Sequence, residues 1–136
     1  VRVTPLPPPP WATHLPAREW PDIVPWRCDA RLASTRRALP DSDDATALFA
    51  FRRWRDESGA VLRDAHAGLV VDAPLCRTLC IASAQDEDVP PGITAELAVA
   101  WGAGPLGGAS PGHVGPLLGR DAPTVAAQVA DWLSSS

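Results

Sequence analysis

At 136 residues the chain is long enough for one domain with a real core, and an apolar fraction of 46% excludes gross disorder. A net charge of −4 and a pI near 5.2 argue against a phosphate-binding face, so no nucleic-acid partner is expected. No stretch reaches the roughly 18 apolar residues of a membrane span and no basic-then-apolar leader opens the chain, so the expected location is cytoplasmic.

All 12 basic residues are Arg, and Lys, Asn, Tyr and Met are absent. The missing residues share A/T-rich codons, so the bias reads as G+C-rich coding and not as recognition. Cys28, Cys76 and Cys80 form no CxxC pair, which speaks against a disulfide framework or a zinc set. Cys76 and Cys80 flank or occupy an apolar run and are expected to serve as small buried hydrophobes. No metal or cofactor is expected. Val1 in place of Met leaves three origins open: a GTG start codon, a processed chain or a fragment.

Residues 1–6 (VRVTPL) predict a short strand, β-branched at Val1, Val3 and Thr4. Eight of the 16 prolines fall within the first 25 residues. Proline fixes φ and lacks a donor, so PPPPWATHLPAREWPDIVPW can be neither regular helix nor central strand. An extended crossing pinned by Trp11, Trp20 and Trp26 is expected, with disorder in the Pro-rich arm. A PxxP ligand for an SH3-type groove is the alternative, disfavoured by three tryptophans that want burial.

Helical spacing follows from Cys28 to Leu39, closed by Pro40. Asp41, Ser42, Asp43 and Asp44 then supply capping oxygens and first-turn acids for a helix expected to run to about Ser58 and to stop at Gly59. Arg52, Arg53 and Arg55 lie beside Asp56 and Glu57 and read as a solvated helix face. A third helix over 61–69 places Val61, Leu62, Ala65 and Leu69 on one face, with His66 as a surface or partner-satisfied histidine. No strand is expected to interrupt residues 11–70.

The pattern then changes type. Thr78 to Ala82 is a continuous apolar run suited to a strand buried on both faces. Pro91 suits the first position of a helix carrying Ile93, Leu97 and Trp101, closed by Gly102. A short strand near Leu106, a Gly-rich loop and a last helix from Pro123, with Val125, Val129, Trp132 and Leu133 inward, complete a parallel αβ layer.

Two residues in this layer carry chemistry. Asp86 lies in the loop after the first strand, and His113 follows the second, flanked by Gly112 and Gly115. The carboxyl ends of parallel strands are where active sites collect. A carboxylate on one imidazole nitrogen fixes the tautomer and frees the other nitrogen to take a proton from a nucleophile. An exposed loop Asp is ordinarily a solvated or capping residue, and a loop His is ordinarily inert. Their order and element context favour the functional reading.

Residues 74–133 resemble the C-terminal portion of an α/β-hydrolase of the esterase/lipase type. The likeness rests on strand TLCIA, the turn SAQDEDVPP, a helix, the histidine loop GASPGHVGPLLGR and the closing helix APTVAAQVADWL. It implies Asp86 as triad acid and His113 as base, with Asp88 off register as a loop acid and Ser83 where the family often has Gly. Residues 1–10 resemble the strand after the nucleophile helix and its Pro-rich exit, 11–73 a Trp-rich helical lid, and 74–136 the αβ end of the core. The implied fold is a partial α/β-hydrolase fold with few parallel strands, flanking helices and a lid.

The implied activity is hydrolysis of a small-molecule ester or related acyl compound. In that family the nucleophile precedes the acid and the base, so it belongs upstream of Val1. The one G-x-S-x-G, Gly108 to Gly112, lacks a buried strand before Ser110 and a helix directly after it. Ser110 is nevertheless the in-chain nucleophile candidate. Cys76 and Cys80 are weaker, with no helix behind them. Three strands alone leave an open sheet edge, so a homo-oligomer or the N-terminal half of a hydrolase is the expected partner. A truncated, noncatalytic remnant acting as an interaction module is the alternative.

Overall fold

A computed structural model describes residues 20–26, 30–107 and 111–135. The expected strand over 1–6, Trp11, Cys28 and Ser110 lie outside the described residues. The architecture is mixed α/β, with six helices and two small sheets among the described residues.

The first half contains β1 (Ile23–Val24), α1 (Leu32–Ala38), α2 (Asp44–Phe51), β2 (Glu57–Ser58) and α3 (Gly59–Ala67). β1 and β2 pair antiparallel, Ile23 opposite Ser58, so a small sheet does interrupt this region, contrary to expectation. α2 starts as its acids predict: the Asp43 carboxylate accepts the Thr46 N–H at 2.7 Å. It stops at Phe51, not near Ser58. The Trp54 indole N–H donates to Thr35 Oγ1 at 2.9 Å, and the Trp26 N–H donates to the Asp56 carboxylate at 2.9 Å. Trp26 also meets Phe51 and Trp54 edge-on. These tertiary ties draw the chain out of helix despite adequate propensity.

Gly59 is therefore not a terminator. It is the first residue of α3, whose cap is Ser58, and the carbonyl of Pro21 occupies the space a Cβ would need. Trp20 is buried edge-on against His66, and Arg63 donates to the Trp20 carbonyl. The inner face of α3 differs from the expected one: Val61 points outward, and Leu69 lies beyond the helix end and is exposed. Arg52, Arg53 and Arg55 are exposed, with Arg53 over the Phe49 ring.

The second half contains β3 (Leu79–Ala82), α4 (Pro91–Trp101), β4 (Gly104–Gly107), α5 (Gly115–Leu118) and α6 (Ala122–Ser134). β3 and β4 pair parallel, from Leu79 opposite Gly104 to Ala82 opposite Gly107, with α4 as the crossover. Pro91 opens α4, and Gly102, at φ 62°, ends it in the left-handed region. Ala98 is buried and Ile93, Leu97 and Trp101 are half-buried, while Val99 on the outer face is 83% exposed.

α6 presents Val125 inward with Val129 and Trp132 half-buried. Leu133 is exposed, a departure from the expected face. Arg77 stacks on the Trp132 ring and donates to the Trp132 carbonyl at 2.9 Å. β3 is half-buried along its length, Cys80 included, and not buried on both faces as expected, and Cys76 is exposed and not a buried hydrophobe.

The halves interlock where it matters for the site. The Val114 N–H donates to the Ala38 carbonyl at the end of α1, and the Arg120 N–H donates to the Asp41 carboxylate. Among the described residues β3 pairs only with β4, which leaves one edge of the strand unpaired. No helix among the described residues is long and apolar enough to cross a membrane.

Candidate functional site

β3 ends at Ala82, and the chain passes through buried Ser83 into the acidic loop. Asp86 organises that loop as an Asx turn, its Oδ1 accepting the N–H groups of Asp88 at 2.9 Å and Val89 at 2.8 Å. The second loop follows β4, and its buried Gly112 lies against the backbone of Ala38 and the ring of Pro40. A side chain at position 112 would press the loop off this support. One backbone bond, Gln85 N–H to the Pro111 carbonyl at 2.9 Å, ties the two loops directly.

Asp86 and His113 meet across this junction. His113 Nδ1 lies 2.8 Å from Asp86 Oδ2 and 3.0 Å from Oδ1. The side chain of Asp86 is 8% exposed and that of His113 39%, so the acid is covered while the ring remains reachable. Burial works to raise the Asp86 carboxyl, but the bonds from His113, Val89 and Asp88 outweigh it and hold its pKa below the usual carboxylate value. The bond to Asp86 raises the pKa of His113 above the usual histidine value against the opposing effect of burial, and the charges of Asp86 and Asp88 add to the rise.

Asp88 belongs to the cluster as well. Ligand atoms of Asp86, Asp88 and His113 all lie within 4.8 Å of one another. Reading the loop acid from spacing alone missed this closeness. Burial is the first cause that raises the pKa of Asp88 above the usual carboxylate value. The three side chains are also the set, among the described residues, that could hold a metal ion. Nδ1 already lies at hydrogen-bond distance from the Asp86 carboxylate, however, and a metal between them would have to displace the Nδ1 proton.

Of the sequence-predicted site residues, the fold brings Asp86 and His113 into contact and says nothing of Ser110, which lies outside the described residues. Gly115 begins the one-turn α5. That helix starts five positions after Ser110, too far downstream to back it as an elbow requires. The arrangement can orient an imidazole, fix its tautomer and stabilise its protonated form. No family model matches the chain, and no curated protein or solved structure matches it.

Proposed function

We propose that the chain works as the acid-and-base portion of an α/β-hydrolase, with hydrolysis of an ester or related acyl compound as its chemistry. The observation that carries this reading is the Asp86–His113 bond at 2.8 Å, made between loops that follow two adjacent parallel strands. The Asp86 carboxylate accepts a hydrogen bond from Nδ1–H of His113 and leaves Nε2 as the base. Nε2 takes the proton of the nucleophile as that attacks the acyl carbon, and then gives it to the departing alcohol. Asp86 stays ionised throughout and balances the imidazolium.

The nucleophile is either Ser110 or a serine supplied by another polypeptide. A second reading, a noncatalytic remnant that acts as an interaction module, is favoured by the edge of β3 that is unpaired among the described residues and by the exposed apolar face of α4 around Val99. In either case an oligomer or an N-terminal hydrolase half is the expected partner. A monomeric light-scattering profile with sharp cooperative melting would count against that expectation.

Turnover of a short-chain p-nitrophenyl ester separates the readings. His113→Ala is expected to lower the rate by about 10²–10⁴-fold, and Asp86→Asn to lower it as well. Loss in Ser110→Ala too indicates a self-contained site. Activity that survives Ser110→Ala but not His113→Ala indicates another nucleophile. An inactive parent chain that an added N-terminal half does not restore leaves the remnant reading.

A further inference from the structure

Asp86 has its acceptor capacity largely committed. Two backbone N–H groups and the imidazole share its oxygens, so its charge is spread over three donors. Asp88 is in the opposite state. It is half-buried, its carboxylate accepts no hydrogen bond from the described residues, and its oxygen lies in the 4.8 Å cluster with Asp86 and His113. A half-buried carboxylate without a donor is costly unless a positive charge faces it.

We propose that Asp88 is a second positioning carboxylate of this site, facing the imidazole that Asp86 already holds and compensating the positive charge the ring acquires. The surrounding charges fit this role. On its own loop Asp88 has Asp86 and Glu87 for neighbours, and from α1 it feels Arg37. Residues 111–119, which carry His113 and α5, include no other charged side chain. His113 is therefore the group of the cluster that can become a cation beside Asp88, and the charge of Arg37 also favours the ionised carboxylate.

The consequence for catalysis depends on the reading above only in naming the nucleophile as the source of the proton. When Nε2 accepts that proton the site passes from two negative charges and a neutral ring to two negative charges and a cation. Asp88, within the same 4.8 Å cluster, favours the second state. It also makes the free ring harder to deprotonate, so the acid limb of the rate profile sits at higher pH than Asp86 alone would place it. The charge of Asp88 is among the causes that raise the pKa of His113 above the usual histidine value, after the bond to Asp86.

The experiment is an NMR titration of the His113 ring in the full chain, for the parent, Asp88→Asn and Asp86→Asn, with His113→Gln identifying the signal. Asp88→Asn is expected to move the midpoint of His113 downward while the Nδ1–H signal to Asp86 persists. Asp86→Asn should move it further and abolish that signal. Where Asp88→Asn is not folded, Asp88→Ser takes its place, and Asp88→Glu should restore the parental midpoint. A curve for Asp88→Asn that superimposes on the parent overturns the proposal. A chain without esterase activity whose midpoint still falls removes the hydrolase reading and keeps this one. An active chain with an unmoved midpoint does the reverse.

Discussion

In residues 20–70 the long-range ties are made by aromatic and polar side chains, whereas in 78–134 the main tie is a backbone ladder. Trp20 on His66, Trp26 on Phe51 and Trp54, and Trp54 on Thr35 join segments that share little regular pairing. In the second half, β3 and β4 pair over four residues each and α4 connects them, so the architecture follows from local elements. The Asp86–His113 pair sits in the second half, and the first half supports its histidine loop from behind through Ala38 and Pro40. Backbone pairing sets the distance between the strand ends, and side-chain packing decides whether the histidine loop stays against its support.

The largest effect on this division is expected from Gly112→Ala. A Cβ there meets the Ala38 carbonyl and the Pro40 ring, both hard to move, and overpacking of this kind costs about 1–3 kcal/mol. Thermal unfolding should show the loss, and the His113 midpoint should fall as the loop swings away from Asp86. Intact stability with an unmoved midpoint would show that the first half does not buttress the site.

Thr35→Val comes next. It keeps the shape of a buried side chain but strands the Trp54 indole N–H, at a cost of about 1 kcal/mol because Trp54 is only half-buried. Chemical denaturation should register this loss, with the Asp86–His113 bond unaffected. A change at His113 would mean that the two halves are less separable than their ties suggest.

The smallest effect is the dependence of stability on pH. The Asp86 pKa is held down by folding, so its contribution is present above the unfolded carboxylate value and is lost as pH falls through the folded one. The His113 pKa is raised, so its contribution is present below the unfolded histidine value and is lost as pH rises through the folded one. The pair therefore supports the fold most in the weakly acidic window between the two unfolded values. Asp88 opposes this at the acid side, since its raised pKa makes its contribution decline as pH climbs through the carboxylate range. Melting temperatures of the parent and Asp86→Asn across pH 3 to 9 (roughly the span of both unfolded values) should approach each other at the acid end, differ most in the weakly acidic window, and draw only partly together at the alkaline end, where the Asp86 contribution persists.

Much of the second half was legible in the chain. Pro91 and Gly102 mark the ends of α4, and an acid after one strand with a glycine-flanked histidine after the next shows which side chains meet. The first half resisted because its deciding contacts are remote. Nothing near Phe51 announces that Thr35 will capture Trp54 and end the helix, and Gly59 is small because of Pro21, not because a helix ends there. The closeness of Asp88 to the pair was not legible for a related reason. Spacing assigns a loop residue its place along the chain but not the direction of its side chain.

The backbone bond from Gln85 to Pro111 involves neither member of the acid–base pair, yet it spans the same gap. The two loops can therefore stay joined when the imidazole is removed, and the Gln85 amide becomes a reporter of their separation. Its exchange with deuterium would measure how often the strand ends part, without substrate, turnover or an intact histidine. Slow exchange in His113→Ala would locate the order of the site in its main chain, and fast exchange would locate it in the side-chain pair.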